Sequence, residues 1–351
     1  MFCVKQDRGE RGHMAAPQKP SGEMPPAERG CSRRAFCASA ALAALAAAAS
    51  LGGCAVGRER ADGSAGTAAQ KAKPSSAAKA SSAPGASWIA ASQQDIEALV
   101  EPCGGAVSVY AVALDPQTFA TLDGEIAVAA DARRVAASII KLPILGCALE
   151  AVAAGSLSLD ERITVAQQDI VGGSGNIQGR GAGVAYSVDE LLSAMIAQSD
   201  NVAANLLIGR LGMDAINETC AKLGLTQTVL ARQMMDSDAQ AQGRENYTSA
   251  RDAANVLQRL AAGAIATPEL CERARGYLLA QEDVRGIVEG APSEVPVAHK
   301  TGSLANAQHD AAIVYSERPY VLAILTQDLE REQALALERD ISAALYARSH
   351  S

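Results

Sequence analysis

Lysine is nearly missing from this 351-residue chain beyond residue 90. Of the 19 basic residues there, 16 are arginine, and the lysines are Lys141, Lys222 and Lys300. Aromatics are also scarce, at 3% of the chain. So few aromatics leave a core that must be built from small aliphatics. Residues 91–351 hold those 19 basic residues against 33 acidic ones, a net −14. The full-chain value of −8 conceals this, because residues 1–53 and 54–90 are each +3. An acidic surface is repelled by phosphate backbones and anionic bilayers, and no nucleic-acid partner is expected. The four histidines, at positions 13, 299, 309 and 350, have no metal-ligand spacing, which argues against a zinc enzyme. Repeats at solenoid periods are lacking too. What is abundant is alanine and other small aliphatics. With 48% hydrophobic residues the chain can bury a sizeable core, which rules out disorder throughout.

The first ninety residues are organised differently from the rest. Arg33-Arg34 precedes an uncharged stretch that runs to Arg58 and is almost wholly Ala, Leu and Ser from Ala38 to Leu51. Charge followed by a short apolar run is the pattern of a secretory signal, and this run is too short and too Ala-rich for a comfortable membrane span. The Arg-Arg pair with Phe36 resembles a twin-arginine signal, and Leu51-Gly52-Gly53-Cys54 resembles a bacterial lipobox. That resemblance implies a signal peptide over 1–53 and lipidation of Cys54. The chain would then be an exported membrane lipoprotein facing outside the cytoplasm, touching the membrane through its lipid alone. Residues 54–90 are rich in Ala, Ser, Gly, Lys and Pro and read as a flexible tether, with the folded domain over 91–351.

Within that domain the pattern is α+β. Strands are expected at Val107–Leu114, Thr118–Leu122, Val295–His299, Ala311–Tyr315 and Tyr320–Thr326, the last two joined by a turn over 316–319. Helices are expected at Gln93–Val100 and Leu329–Ala347. Between the two groups of strands lie helix signals: a capping box at Ser187–Glu190, stops at Gly212 and Gly224, and N-termini at Ser249 and Thr267-Pro268. Both ends of the chain thus supply strands to one five-stranded antiparallel sheet, flanked by terminal helices and set beside an all-helical lobe.

Three short motifs carry chemistry. Ser138-Ile139-Ile140-Lys141 puts a hydroxyl and an ammonium three residues apart on one helical face, inside a segment that otherwise reads as buried. A hydroxyl becomes a nucleophile only when something accepts its proton, and a desolvated lysine can do that. Ser199-Asp200-Asn201 offers a second hydroxyl to relay a proton and an amide to hold a substrate carbonyl, although Asp200 also reads as a helix cap. Lys300-Thr301-Gly302-Ser303 places a cation, two hydroxyls and a glycine on one strand, an edge able to bind a carboxylate and pair with an extended amide.

Taken together and in this order, the motifs resemble the serine β-lactamase and penicillin-binding-protein superfamily, most closely its class A branch. The similarity runs from about Gln93 to Ala347. It implies that Ser138 is acylated, with Lys141 as proton acceptor, Ser199 as shuttle to the leaving nitrogen and Lys300 steadying Ser199. It further implies that Asn201 contacts the substrate amide, that Thr301 and Ser303 bind its carboxylate, and that the Ser138 and Ser303 N–H groups form the oxyanion hole. The substrate would be a β-lactam or a peptidoglycan-like small molecule. No cofactor or metal is called for, and a monomer is the default.

One departure divides the functional reading. Class A enzymes hydrolyse their acyl-enzyme with a glutamate two residues after an arginine. Here Arg232 matches the arginine and Met234 falls at the glutamate. Asp238 takes the place of the family's asparagine, and Asn246 falls where an aspartate usually pairs with the arginine. Asp236 and Asp238 are the candidate substitute bases. Three readings stay open: a β-lactamase-like hydrolase with weak deacylation, a penicillin-binding D-Ala-D-Ala peptidase or acyl-enzyme former, and a noncatalytic binding lipoprotein. Cys103, Cys147, Cys220 and Cys271 are read as small buried apolar residues in preference to disulfides.

Overall fold

The computed structural model describes residues 86–351. Expectations for the signal peptide, Cys54 and most of the tether lie outside those residues. The fold begins at Ala86, slightly ahead of the expected boundary, with α1 (Ala86–Ala91) and α2 (Gln93–Val100). Trp88 and Ile89 are buried, so this turn belongs to the core.

β1 (Ala106–Leu114) and β2 (Thr121–Val128) follow. β2 starts later than the sequence suggests. Asp115 accepts from the Thr118 backbone and side chain, and Phe119 takes φ 54°, so 115–120 is a wound turn. A short β3 (Arg134–Val135) then leads through a 3-10 turn, Ala137–Ile140, into α3 (Lys141–Ala153). The lobe continues through β4 (Arg162–Thr164), β5 (Ala185–Ser187), α4 (Val188–Ala197), α5 (Asn201–Leu211) and α6 (Met213–Lys222). It closes with α7 (Ser237–Ala241), β6 (Tyr247–Thr248), α8 (Ala250–Ala261) and α9 (Pro268–Leu279). The lobe is therefore not wholly helical: β3 pairs with β6, and β4 with β5, as two small ribbons.

The chain returns to the sheet through β7 (Val297–Leu304), β8 (Ala307–Val314) and β9 (Tyr320–Gln327), and ends in α10 (Arg331–Ser349). The main sheet is antiparallel in the order β2-β1-β9-β8-β7, so β1 from one end of the chain pairs with β9 from the other. Strand alternation sends Tyr110, Val112, Leu114, Val321 and Ala323 toward the lobe. Their neighbours Val109, Ala111, Leu322 and Ile324 pack under α10 with Leu337, Ile341 and Leu345. Both faces are covered, which is why β1 and β9 read as almost unbroken apolar runs. On edge strand β7 the same alternation sends Ala298 to the lobe face and Val297 to the α10 face. Lys300 shares the lobe face.

Candidate active site

Ser138 sits where the chain swings from the β3–β6 ribbon into α3. Ala136 donates to the Asn246 carbonyl at 2.8 Å, and Ala137 is forced to φ 45°, a left-handed conformation costing about 1–3 kcal/mol for a residue with a side chain. That bend presents the Ser138 hydroxyl at the start of a helix whose next four residues are all buried. The Cβ position at Gly302 lies 3.1 Å from the Ser138 nitrogen and 3.2 Å from that of Ile139. A side chain at this position would press on the backbone of the nucleophile turn, and glycine lets edge strand β7 run this close without that crowding.

Lys141 is wholly buried, and four oxygens surround its Nζ: Ser138 Oγ at 3.1 Å, Ser199 Oγ at 3.1 Å, the Ser199 carbonyl at 2.6 Å and Asn201 Oδ1 at 2.8 Å. Burial holds its pKa well below the usual lysine value, and the Lys300 charge adds to this while Asp200 opposes it. The geometry suits a neutral amine. The two carbonyl oxygens can only accept, so they take its two N–H groups and leave the lone pair facing the hydroxyls. A lone pair 3.1 Å from Ser138 Oγ is positioned as a general base.

Ser199 occupies the break between α4 and α5 at φ 53°, and Lys300 Nζ donates to its hydroxyl at 3.1 Å and to the Thr301 carbonyl at 2.7 Å. Burial pulls the Lys300 pKa down to about 7, opposed by Asp310 and Asp283. Asp200 keeps the structural role that its position in the sequence suggests. One carboxylate oxygen accepts from Ala203 to cap α5, and the other accepts from Ile177. A side chain at Gly175 would collide with that carboxylate, so the 172–175 loop closes directly over it. Asn201 donates to the Gly172 carbonyl at 3.0 Å.

Two cavities meet at Ser138, Ser174 and Ser303. One, about 270 Å³, includes Asn201, Met234, Met235 and Leu304 in its walls. The other, about 590 Å³, is lined by Ser199, Thr301, Arg285 and Arg331 among others. The structure thus brings Ser138, Lys141, Ser199, Asn201, Lys300, Thr301, Gly302 and Ser303 to one cleft. His309 stays out of it. Its Nε2 donates to the Val135 carbonyl at 2.8 Å, and burial pulls its pKa down to about 4, which keeps it neutral.

The opposite wall corrects the expectation that Asp236 or Asp238 replaces the missing base. Arg232 pairs with Glu245 at 2.7 Å, not with position 246. Asn246 instead holds the loop backbone, accepting from Ala231 and Arg232 and donating to the Arg232 carbonyl. Asp236 caps α7 through Ala239 and Asp238 is exposed on that helix, and neither is among the residues lining the cleft. The carboxylates that do line it, Glu245 in the smaller cavity and Glu282 and Asp283 in the larger, were not singled out from the sequence. Asn205 was missed as well. It clasps Met234 from both sides, accepting from its N–H at 2.8 Å and donating to its carbonyl at 3.0 Å. Its signal was legible: a second asparagine four residues after Asn201, on one face of an apolar helix. The four cysteines are free thiols, three of them buried.

Comparison with known proteins agrees with this geometry. A β-lactamase from Rhodobacter capsulatus is 30% identical over 221 residues, 60% of this chain and 74% of its own. Among solved structures, PBP-A is 28% identical with a TM-score of 0.66, over 73% of this chain and 94% of its own. A mutant of PBP-A, equally similar, was solved as an acyl-enzyme complex with penicillin G. A β-lactamase from Sphaerobacter thermophilus is 28% identical with a TM-score of 0.65, over 75% of this chain and 97% of its own. The family model described as the beta-lactamase enzyme family matches residues 91–349, and the chain belongs to that family.

Proposed function

We propose that this chain is a class A-like serine acylase of β-lactams whose acyl-enzyme is hydrolysed slowly. Lys141 takes the Ser138 proton as Oγ attacks the lactam carbonyl. The N–H groups of Ser138 and Ser303 stabilise the resulting oxyanion, worth about 3–4 kcal/mol per donor. The C–N bond breaks as Ser199 delivers a proton to the nitrogen, and Lys141 re-protonates Ser199. Lys300 steadies Ser199, Thr301 and Ser303 receive the substrate carboxylate, and Asn201 its side-chain amide.

A single observation carries the slow second half. Asn205 holds the Met234 backbone against the cleft, and a buried thioether stands where a water-activating carboxylate is needed. Glu245 is a poor substitute, because Arg232, the Asn246 N–H and the Gln240 amide already occupy its oxygens. The test is to mix the protein with a chromogenic β-lactam and follow both colour and intact mass. A mass increase that persists after one turnover, and is lost in Ser138→Ala, supports the proposal. Rapid repeated turnover overturns the slow step, and neither colour nor adduct overturns the acylation.

The larger, polar cavity beside edge strand β7 favours a second reading, a D-Ala-D-Ala peptidase whose extended peptide pairs with that strand. Release of D-alanine from an acyl-D-Ala-D-Ala peptide tests it. Lipidation at Cys54 would place either activity at the outer face of a membrane, which globomycin-sensitive processing of the full chain would report.

A further inference from the structure

Behind edge strand β7 lie three titratable side chains that the acylation steps do not use. His299 comes from β7, Asp310 from β8 and Glu338 from α10, and all three are buried. Strand register sets Asp310 directly across from Thr301, with Lys300 one residue away on the opposite face of the sheet. Asp310 is well served: His299 Nδ1 donates to one oxygen at 3.0 Å and the Ile287 N–H to the other at 3.1 Å. Glu338 is not, since among the described residues neither of its oxygens has a hydrogen-bond partner. A Cβ at Gly286, held at φ 82°, would overlap Glu338 Oε2 and lie 3.3 Å from Asp310 Oδ2. Both carboxyl groups therefore converge on the one point that this glycine leaves open.

Nearby cations are engaged elsewhere. Arg339, beside Glu338 on α10, is bound to Glu289 at 3.2 Å, and Arg285, in the loop leading to Gly286, is bound to Asp283 at 2.8 Å. Two buried carboxyl groups that face each other without a cation cannot both ionise. Hydrogen bonds to the charged form favour ionisation at Asp310, and their lack leaves the proton on Glu338. Burial, then the charges of Asp310 and Asp283, hold the Glu338 pKa well above the usual carboxylate range. The charge left on Asp310 acts on Lys300, where burial lowers the pKa and Asp310 opposes it.

We propose that Asp310 and Glu338 form a buried carboxyl pair holding one proton, on Glu338, and that the single charge on Asp310 makes it a positioning residue that keeps Lys300 an ammonium. The part played in catalysis rests on the acylation reading above; the pair itself does not.

The test follows the Lys300 Cε signal by NMR through a pH titration of the full-length chain with isotope-labelled lysine, assigned by its loss in Lys300→Arg. Glu338→Gln replaces one neutral group by another, so the Lys300 titration is expected to stay within about a third of a unit. Glu338 would take up the charge if Asp310 alone were replaced, so the second variant is the double one, Asp310→Asn with Glu338→Gln. There the Lys300 titration is expected to move to lower pH by about a unit or more, and the alkaline limb of acylation with it. Infrared spectra at neutral pH should show a protonated carboxyl band that Glu338→Gln removes, a measurement that stands even if the double variant folds poorly. Absence of that band overturns the pair. A Lys300 titration unmoved in the double variant, or already lowered in Glu338→Gln, overturns the role given to Asp310. The expected shifts without any β-lactam adduct support the pair and overturn the acylation reading alone.

Discussion

The two walls of the cleft differ in how completely they exclude water. On the wall that carries Ser138, both lysines are wholly buried, each side-chain nitrogen is held by oxygens, and two residues accept left-handed backbone to complete the arrangement. On the facing wall the candidate carboxylates stand out of the cleft, one capping α7 and the other exposed. Desolvation depresses a lysine pKa and turns it into a base, so the first wall invests its burial in forming the acyl-enzyme. The second wall is ordered too, by the Asn205 clasp and the Arg232–Glu245 pair. That order ends in a thioether, not in a base. Rigidity and catalytic competence are therefore separable across a single cleft, and the two half-reactions can be lost independently.

The most severe break is Ser138→Ala, expected to abolish adduct formation, a loss on the order of 10⁴-fold or more in turnover measured by chromogenic assay. Lys141→Arg keeps the charge but cannot release a proton, and acylation followed by stopped-flow should fall about 10³-fold. If arginine is tolerated, the lysine is not the base. Met234→Glu sharpens the contrast from the other wall: the adduct lifetime should shorten about 10²-fold as a general base is restored on a backbone already held in place. A lifetime that stays long would mean that water, not the base, is what the second wall lacks.

A pH series probes the enclosed wall without mutation. Lys300 carries its charge below about pH 7 and loses it above. Capture of carboxylate-bearing β-lactams, read as the second-order acylation constant, should thus decline on the alkaline side of about pH 7, approaching tenfold per unit. An acid limb should appear where Lys141 becomes protonated, far below the ordinary lysine range. The smallest effect is expected from Asp238→Asn, within about twofold in every rate, because an exposed helix carboxylate has no part in the cleft.

The pattern of what the sequence could reveal follows the same division. Lys141 was legible because a lysine amid the buried aliphatics of SIIKLPIL has few explanations other than function, whereas Ser138, Ser199 and Lys300 stood out only through the order and spacing of the three motifs together. That both chain ends feed one five-stranded sheet was legible because β1 and β9 are apolar on both faces; the strand order was not. Glu245 and Asp236 were not, because a carboxylate in a polar loop looks the same whether it faces the cleft or the solvent. The partner of Arg232 was not assigned from the sequence, since loop register is set by Asn246 bonds to the backbone that no periodicity encodes. β2 slipped for a similar local reason, the left-handed Phe119 and the Asp115 cap that extend its turn.

Pairing of β1 with β9 also fixes an order of events during synthesis. Ala106 has no strand partner on that side until Gln327 has emerged, and β7, which carries Lys300, can join the sheet only through β8 and β9. The apolar length of β1 must therefore wait for nearly the entire domain, exposed to premature association or guarded by a chaperone. The nucleophile segment waits as well, because residues 141–149 are buried against later helices and the bend before Ser138 is held by the Asn246 carbonyl. A nascent chain would thus have no Lys300 opposite Ser138, so that reactivity toward β-lactams would appear only when the C-terminal strands close the sheet.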